Sequence, residues 1–281
     1  MKLIKQKAEL LPWIPGIEGV YKMIELAGRT CYKSTDKITE DSAKPFVDRM
    51  INSKHTAMLE HGTVYFIMQY GGNRDESDRI EKYIKNKYTK YCQYINGKYY
   101  ITTNLRVLVE NDWLDDLQYL CEPTEFHEKR YTFRLVTSIG VTRELNRHRV
   151  NSIAEQSTRY CNYSKDKFGG EVSFVEPYWL ELDKPINSDA YDNAYELFAS
   201  ACEEAEGYYM FLIDNGFTPQ EAREVLPLCT ASEIVHTAFA SDWKHFFDLR
   251  YYGTTGAPHP NMRQLAELMK NELDKNGIKL D

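Results

Sequence analysis

The residues Arg147-His148-Arg149-Val150-Asn151-Ser152-Ile153-Ala154-Glu155-Gln156-Ser157-Thr158-Arg159-Tyr160 carry the densest chemistry in the chain. They bring together three arginines, a histidine, a glutamate and two serines, with few apolar side chains between them. Forked guanidinium donors beside hydroxyls and backbone N–H groups suit an anion, phosphate above all. Val141 to Arg149 reads as a short helix on which Glu144, Arg147 and His148 are neighbours at i, i+3 and i+4. Ser152 to Ser157 reads as a loop that cradles the anion. The plainer alternative is a solvated helix end with surface ion pairs, because charge runs are usually solvated faces.

Elsewhere the reactive side chains are sparse. His55, Glu60 and His61 place two imidazoles and a carboxylate close together, but not at the i, i+4 spacing of a metalloprotease helix. No metal site is expected there, and a histidine holding a backbone carbonyl is the plainer reading. The six cysteines are scattered without a C-x-x-C pair, which fits neither a disulfide scaffold nor zinc. Ser157 has no evident base partner, so it reads as a phosphate ligand rather than a nucleophile. Taken singly, Arg223 and Arg250 would be surface ion-pair partners.

A chain of 281 residues suits one large domain or two small ones. Its 42% hydrophobic and 27% charged residues are ordinary for a soluble globular protein. A net charge of −7 argues against general nucleic-acid binding. No apolar run reaches the roughly 20 residues of a membrane span, and no signal-peptide core opens the chain. A cytoplasmic protein with reduced thiols is expected.

The supporting elements follow in order. Leu3 to Trp13 reads as a strand and turn, Gly19 to Gly28 as a helix, and Ser42 to Ser53 as a helix capped by Ser42 or Asp41. Thr63 to Gln69 alternates as a strand, and Gly71 to Asp78 reads as a polar loop. Tyr91 to Thr103 holds Asn96-Gly97, a two-residue hairpin signal. Leu105 to Leu120 reads as a helix and Tyr131 to Ser138 as a strand leading into the signature. Tyr160 to Val175 reads as loop and short strand, with a turn at Gly169-Gly170. Ser188 to Asp214 has the clearest helical period, and its aromatic stripe suits a core or a subunit interface. Thr218 to Glu221 reads as a capping box with Pro219 at the first helical position. Ser232 to Phe239 follows as a strand, then a helix capped by Ser241 and Asp242 that ends at Leu249-Arg250, then a helix from Pro258 to Lys275. No repeat or flexible linker interrupts the chain.

Arg-His-Arg, two residues, Ser, four residues, Ser, one residue, Arg-Tyr resembles the signature of the flavin-dependent thymidylate synthases. So do His55 with Glu60 and His61 before a strand, Ala222-Arg223 followed by Val225-Leu226-Pro227, and Leu249-Arg250 with His245 and Phe246. The resemblance covers about residues 42–70 and 131–250. It implies an α+β fold: a single domain over 1–281, with a mixed or antiparallel sheet flanked by helices and a family-atypical elaboration around 71–104. It implies conversion of dUMP to dTMP, with methylene-tetrahydrofolate as carbon donor, bound FAD as hydride carrier and NADPH as reductant. Arg250 would be catalytic, and Glu144, Arg147, Glu155, Gln156, Ser157, Thr158, Arg159, Arg223 and Arg250 would meet dUMP. His55, Ala57, Glu60, Arg147, His148, Arg149, Val150, Glu155 and His245 would meet FAD. Family members are homotetramers with sites shared between subunits, which implies the same here.

The chain departs from the pattern at several positions. Glu144 stands where a glutamine facing the nucleotide is expected, and Ala154 replaces a common asparagine. Phe239 and Ser241 stand at asparagine and arginine positions near the flavin, and neither side chain reproduces those contacts. Two rival readings are a non-catalytic nucleotide- or RNA-binding module and an inactive family member.

Overall fold

Two long strands, β6 (Arg130–Ser138) and β9 (Ala231–Phe239), form the floor on which the signature stretch rests. β9 is buried along nearly its whole length, so it must be covered on both faces. The structure, a computed structural model, describes residues 1–70, 74–93, 97–182 and 184–280. β6 and β9 pair antiparallel, with Thr132 opposite Thr237 and Phe133 opposite His236. β2 (Lys7–Leu10) joins the outer side of β6, and β7 (Ser152–Glu155) the outer side of β9, giving the antiparallel order β2-β6-β9-β7.

Alternation along these strands sends neighbours to opposite faces. On one face Phe133, Leu135, Ile234 and Ala238 pack with α8 (Ala240–Phe247) and α9 (Pro260–Lys275) around Trp243, Met262 and Leu265. On the other, His61 Nδ1 meets Thr237 Oγ1 at 2.9 Å, and that hydroxyl meets Thr132 Oγ1 at 2.8 Å. Helix α1 (Gly16–Cys31) buries Ala27 against Val235 and Ala154. Its Gly28 is required by the close approach of α2 (Ala43–Asn52), since a Cβ there would lie 2.6 Å from Phe46 Cζ.

A second antiparallel sheet, β3-β5-β4, comprises β3 (Thr63–Gln69), β5 (Lys98–Asn104) and β4 (Lys90–Gln93). Its core joins Val64, Phe66 and Ile101 to Ile80 and Tyr83 of α3 (Arg74–Ile84) and to Leu105 and Leu108 of α4 (Leu105–Glu110). Asp116 pins α3: it accepts hydrogen bonds from Arg79 at 3.0 Å and Tyr83 Oη at 2.6 Å, and pairs with Lys82 at 2.6 Å. A parallel pair, β1 (Lys2–Ile4) with β8 (Ser173–Val175), packs near α6 (Ala194–Asp214) and α7 (Pro219–Ala222).

The α+β class expected from the sequence holds, with the strands of the described residues divided among three sheets rather than one. Several local expectations need correction. Residues 74–78 of the expected polar loop belong to a helix that runs on to Ile84, because Asp116 and the Tyr83 ring hold it to the sheet. Residues 71–73 of that loop, and Asn96 of the hairpin turn, lie outside the described residues; the flanking β4 and β5 do pair antiparallel. The helix expected over Leu105–Leu120 stops at Glu110 and resumes as a 3-10 turn over Leu114–Tyr119, with Asp112 at φ 59° between them. Ser42 does not cap α2; its hydroxyl donates to the buried Glu25 carboxylate at 2.9 Å. Helix α6 begins at Ala194, where the Asn193 side chain caps it, rather than at Ser188. Helix α8 starts at Ala240 without a side-chain cap, and the Ser241 N–H goes to Glu128 instead. The capping box at Thr218–Glu221 forms as expected.

Candidate functional site

Helix α5 (Ile139–Leu145) follows β6 directly, with the Ser138 hydroxyl accepting from the Val141 N–H at its start. It ends before the signature, so Arg147, His148 and Arg149 lie in the following turns rather than on the helix. The expected i, i+3, i+4 trio is therefore not a helical face. Glu144 and His148 instead converge on Arg250. Arg250 Nη1 donates to Glu144 Oε2 at 2.7 Å, and Nε donates to His148 Nε2 at 3.2 Å. Arg250 sits in a π-helical turn, Asp248–Tyr252, that continues α8 and closes at Gly253 with φ 70°. Such widened turns recur at functional sites. Burial, with Arg250 and His245 nearby, lowers the His148 pKa to about 4, which keeps its Nε2 free to accept. The rings of His148 and His245 lie 6.4 Å apart, and Phe246 packs on His148 at 5.1 Å.

The next part of the signature is a strand, not the loop expected. β7 pairs with β9, Ser152 opposite Thr237 and Ala154 opposite Val235, and buries Ser152 and Ala154. Ser152 and Glu155 at its ends hid a strand whose pairing is tertiary. Glu155 accepts from Ser232 Oγ at 3.0 Å, and Gln156 is buried with its N–H on the Glu233 carbonyl. Past the strand, Arg223 Nη1 donates to Thr158 Oγ1 at 3.0 Å, and the Arg159 N–H donates to Ser157 Oγ at 3.3 Å. Arg159 itself is exposed beside the Tyr160 ring. Among the described residues, no hydrogen bond or ion pair joins this group to the one around Arg250.

A cleft of about 750 Å³ opens beside the signature turn, within the range of small-molecule sites. Glu60, Arg149 and Val150 line it together, which unites three of the expected flavin residues. His55 and Ala57 are exposed at the start of the neighbouring 3-10 turn, and Arg147 is exposed. Glu60 is held by Arg106, which also bonds Glu110. Arg130 forms part of the lining and is only 8% exposed. It donates to Glu60 O (2.9 Å), Thr63 Oγ1 (3.1 Å) and Ser152 Oγ (2.9 Å), and its Nε–H has no partner. Burial lowers its pKa to about 10, still far above neutrality, so the charge persists.

Arg106, Arg130 and the lysines at 85, 87 and 90 escaped the sequence reading. The available signal was an arginine opening an otherwise core-like strand at 130, and a lysine-rich run, 82–90, next to the polar stretch. The departures at Phe239 and Ser241 also acquire partners. Lys90 Nζ bonds Ser241 Oγ and lies 3.3 Å from Asp242 Oδ1. The same ammonium sits 4.5 Å from the Phe239 ring centroid, with the Arg130 guanidinium at 5.2 Å. Phe239 thus offers its ring to two cations.

Comparison with known proteins places this geometry in context. The flavin-dependent thymidylate synthase of Geobacter sulfurreducens is 29% identical over 139 residues, covering 49% of this chain and 55% of that protein. That of Pyrococcus abyssi is 32% identical over 109 residues, covering 39% and 41%. That of Corynebacterium efficiens is 24% identical over 247 residues, covering 85% and 70%. The match thus spans about half the length of the first of these relatives and less of the second. A solved structure, the UMP/dUMP methylase PolB from Streptomyces cacaoi bound with 5-Br dUMP, aligns over 98% of this chain and 93% of that one, at 18% identity and a TM-score of 0.46. The family model described as thymidylate synthase complementing protein, Thy1, matches residues 110–276, which hold the whole signature, Arg223 and Arg250. The chain belongs to that family.

Proposed function

We propose that this chain is a flavin-dependent thymidylate synthase, converting dUMP to dTMP with methylene-tetrahydrofolate as carbon donor and NADPH as reductant. The observation that carries the reading is the convergence of Arg250, Glu144 and His148 within the matched span. The cleft lined by Arg149 and Val150 fits a flavin dinucleotide in volume and in charge, because it contains a buried arginine with no carboxylate bonded to it. When bound, FAD supplies the redox chemistry.

The chain's own residues do the rest. Arg250, always protonated, stabilises negative charge developing on the uracil N3 and its neighbouring carbonyl oxygens. Ser157, Thr158, Arg159 and Arg223 take the nucleotide phosphate, with Gln156, Glu155, Glu144 and Arg147 around the nucleotide. Glu60, Arg149 and Val150 hold the flavin in the cleft, with Arg147, His148, Glu155, His245, His55 and Ala57 completing its surroundings. His148, neutral near pH 7, accepts from Arg250 and so fixes the direction of the guanidinium.

Within one chain no hydrogen bond or ion pair among the described residues joins the Thr158–Arg223 group to the Arg250 group, and a site completed by neighbouring subunits of a homotetramer unites them. Helix α6 supports an assembly of this kind: Tyr195, Tyr208 and Phe211 are 52%, 61% and 66% exposed. One domain over 1–281, in the cytoplasm with reduced cysteines, completes the reading. The test is the absorbance spectrum of the purified protein, its bleaching by NADPH, and dTMP formation on adding dUMP and methylene-tetrahydrofolate. A colourless protein that takes up no supplied FAD sinks the reading and leaves a nucleotide-binding module.

A further inference from the structure

The elaboration at 71–104 is not idle surface, because its described residues wall the cleft. Six cations line that space, Lys85, Lys87, Lys90, Arg106, Arg130 and Arg149, against three carboxylates, Glu60, Glu110 and Asp242. The carboxylates are already engaged: Arg106 holds Glu60 and Glu110, and Lys90 holds Asp242. Arg130 bonds only neutral oxygens and keeps one orphaned N–H while nine-tenths buried. A buried charge with no carboxylate bonded to it, and with Glu60 and Asp242 acting on it only through space, is costly, and an anion entering the cleft relieves it. Lys85 and Lys87 lie exposed on the wall after α3, and Lys90 opens β4. All three lie outside the 110–276 span of the family match.

Resting on the reading above, we propose that Lys85, Lys87 and Lys90, with Arg149 and Arg130, bind the pyrophosphate of a dinucleotide in this cleft. Lys90 supplies a cation beside Ser241, and Phe239 holds that ammonium on its ring face. Asp116 fixes the end of α3 from which Lys85 and Lys87 extend. Two dinucleotides of the reaction carry this group, FAD and NADPH, and the test separates them.

The experiment titrates the full-length apoprotein with FAD, FMN, riboflavin and NADPH, following flavin fluorescence or, for NADPH, calorimetry. The variants are Lys85→Glu/Lys87→Glu, confined to exposed side chains, and Lys90→Gln. Loss of two charge-assisted contacts should weaken the dinucleotide by about tenfold or more, and by more at low salt. Riboflavin, which has no phosphate, should bind the variants as it binds the wild type. A selective loss of FAD assigns the wall to the flavin, and a selective loss of NADPH assigns it to the reductant. Equal losses for riboflavin and FAD, or none for either dinucleotide, overturn the proposal. Wild type that binds no flavin overturns the proposed function as well, whereas variants that bind both FAD and NADPH as the wild type does overturn this inference alone. If Lys90→Gln fails to fold, the exposed double variant decides the outcome by itself.

Discussion

Arg250 and Glu144, 106 positions apart in the chain, meet at 2.7 Å with both side chains mostly buried. A second Arg250 nitrogen, Nη2, lies 3.4 Å from the Glu144 carbonyl oxygen, so one residue engages the fork through both side chain and backbone. With Nε on His148, the planar group is fixed before any substrate arrives. Glu144 stands where the resemblance called for a glutamine, and the consequence is visible: the residue carries a charge that opposes Arg250.

Arg250→Lys should therefore impair chemistry more than nucleotide binding. Lysine keeps the charge but loses the fork that spans two acceptors. Loss of one such electrostatic donor costs about 3–4 kcal/mol in the transition state, or roughly a hundredfold or more in rate. The measurement is single-turnover dTMP formation at saturating dUMP, beside dUMP affinity from flavin titration. A variant that loses binding while keeping its rate would make Arg250 an anchor.

Arg159→Ala should behave in the opposite way. The residue is exposed, with its guanidinium over the Tyr160 ring, so the fold depends little on it. Removing a charge-assisted phosphate contact should weaken dUMP by about tenfold to a hundredfold. Equilibrium dialysis with labelled dUMP reads this directly, and the rate at saturation should change little. Unchanged affinity would remove Arg159 from the phosphate site.

Long periodic elements were legible in the sequence. Helices α1 and α9 and strands β3, β6 and β9 matched the reading to within a few residues, because each is a long run whose apolar residues recur at its own period. Elements made by pairing were not legible. β7 looked like a polar loop, since Ser152 and Glu155 find their partners on β9 only in the fold. Helix α3 is held by Asp116, more than thirty residues away, and no local pattern announces that contact. Spacing named the signature residues, but it could not divide them into the Thr158–Arg223 group and the Arg250 group. Nor could it show that Lys90, distant in sequence from Ser241, would sit against it.

Asp116→Ala should loosen the elaboration selectively. Its carboxylate is 2% exposed and serves Arg79, Lys82 and the Tyr83 hydroxyl. Breaking a buried pair by removing one partner typically costs about 3–5 kcal/mol, less here because Arg79 and Lys82 reach solvent. Hydrogen exchange should show faster opening over 74–104, with the β6–β9 amides unchanged. A uniform loss of protection would mean that the two sheets unfold together.

Acid should destabilise this protein through histidines before its carboxylates titrate. Burial lowers the His61 pKa to about 3 and places His236 well below the ordinary value, and His148 is lowered to about 4. Above the ordinary pKa of about 6.5 these groups are neutral in both states and favour neither. As pH falls below that value, the unfolded chain takes up protons that the folded chain refuses, so stability falls. Each refusal costs about 1.4 kcal/mol per pH unit, for His61 until its folded pKa is reached near 3. His61 is the cleanest probe, since it is 1% exposed and its Nδ1 meets only the Thr237 hydroxyl. His61→Gln cannot take up a proton, so it should lower stability at pH 7 yet flatten the slope between pH 6.5 and 4.5. Urea denaturation of both proteins across that window measures the two slopes. Parallel slopes would mean that His61 titrates alike in the folded and unfolded chains, and burial would not be controlling its proton.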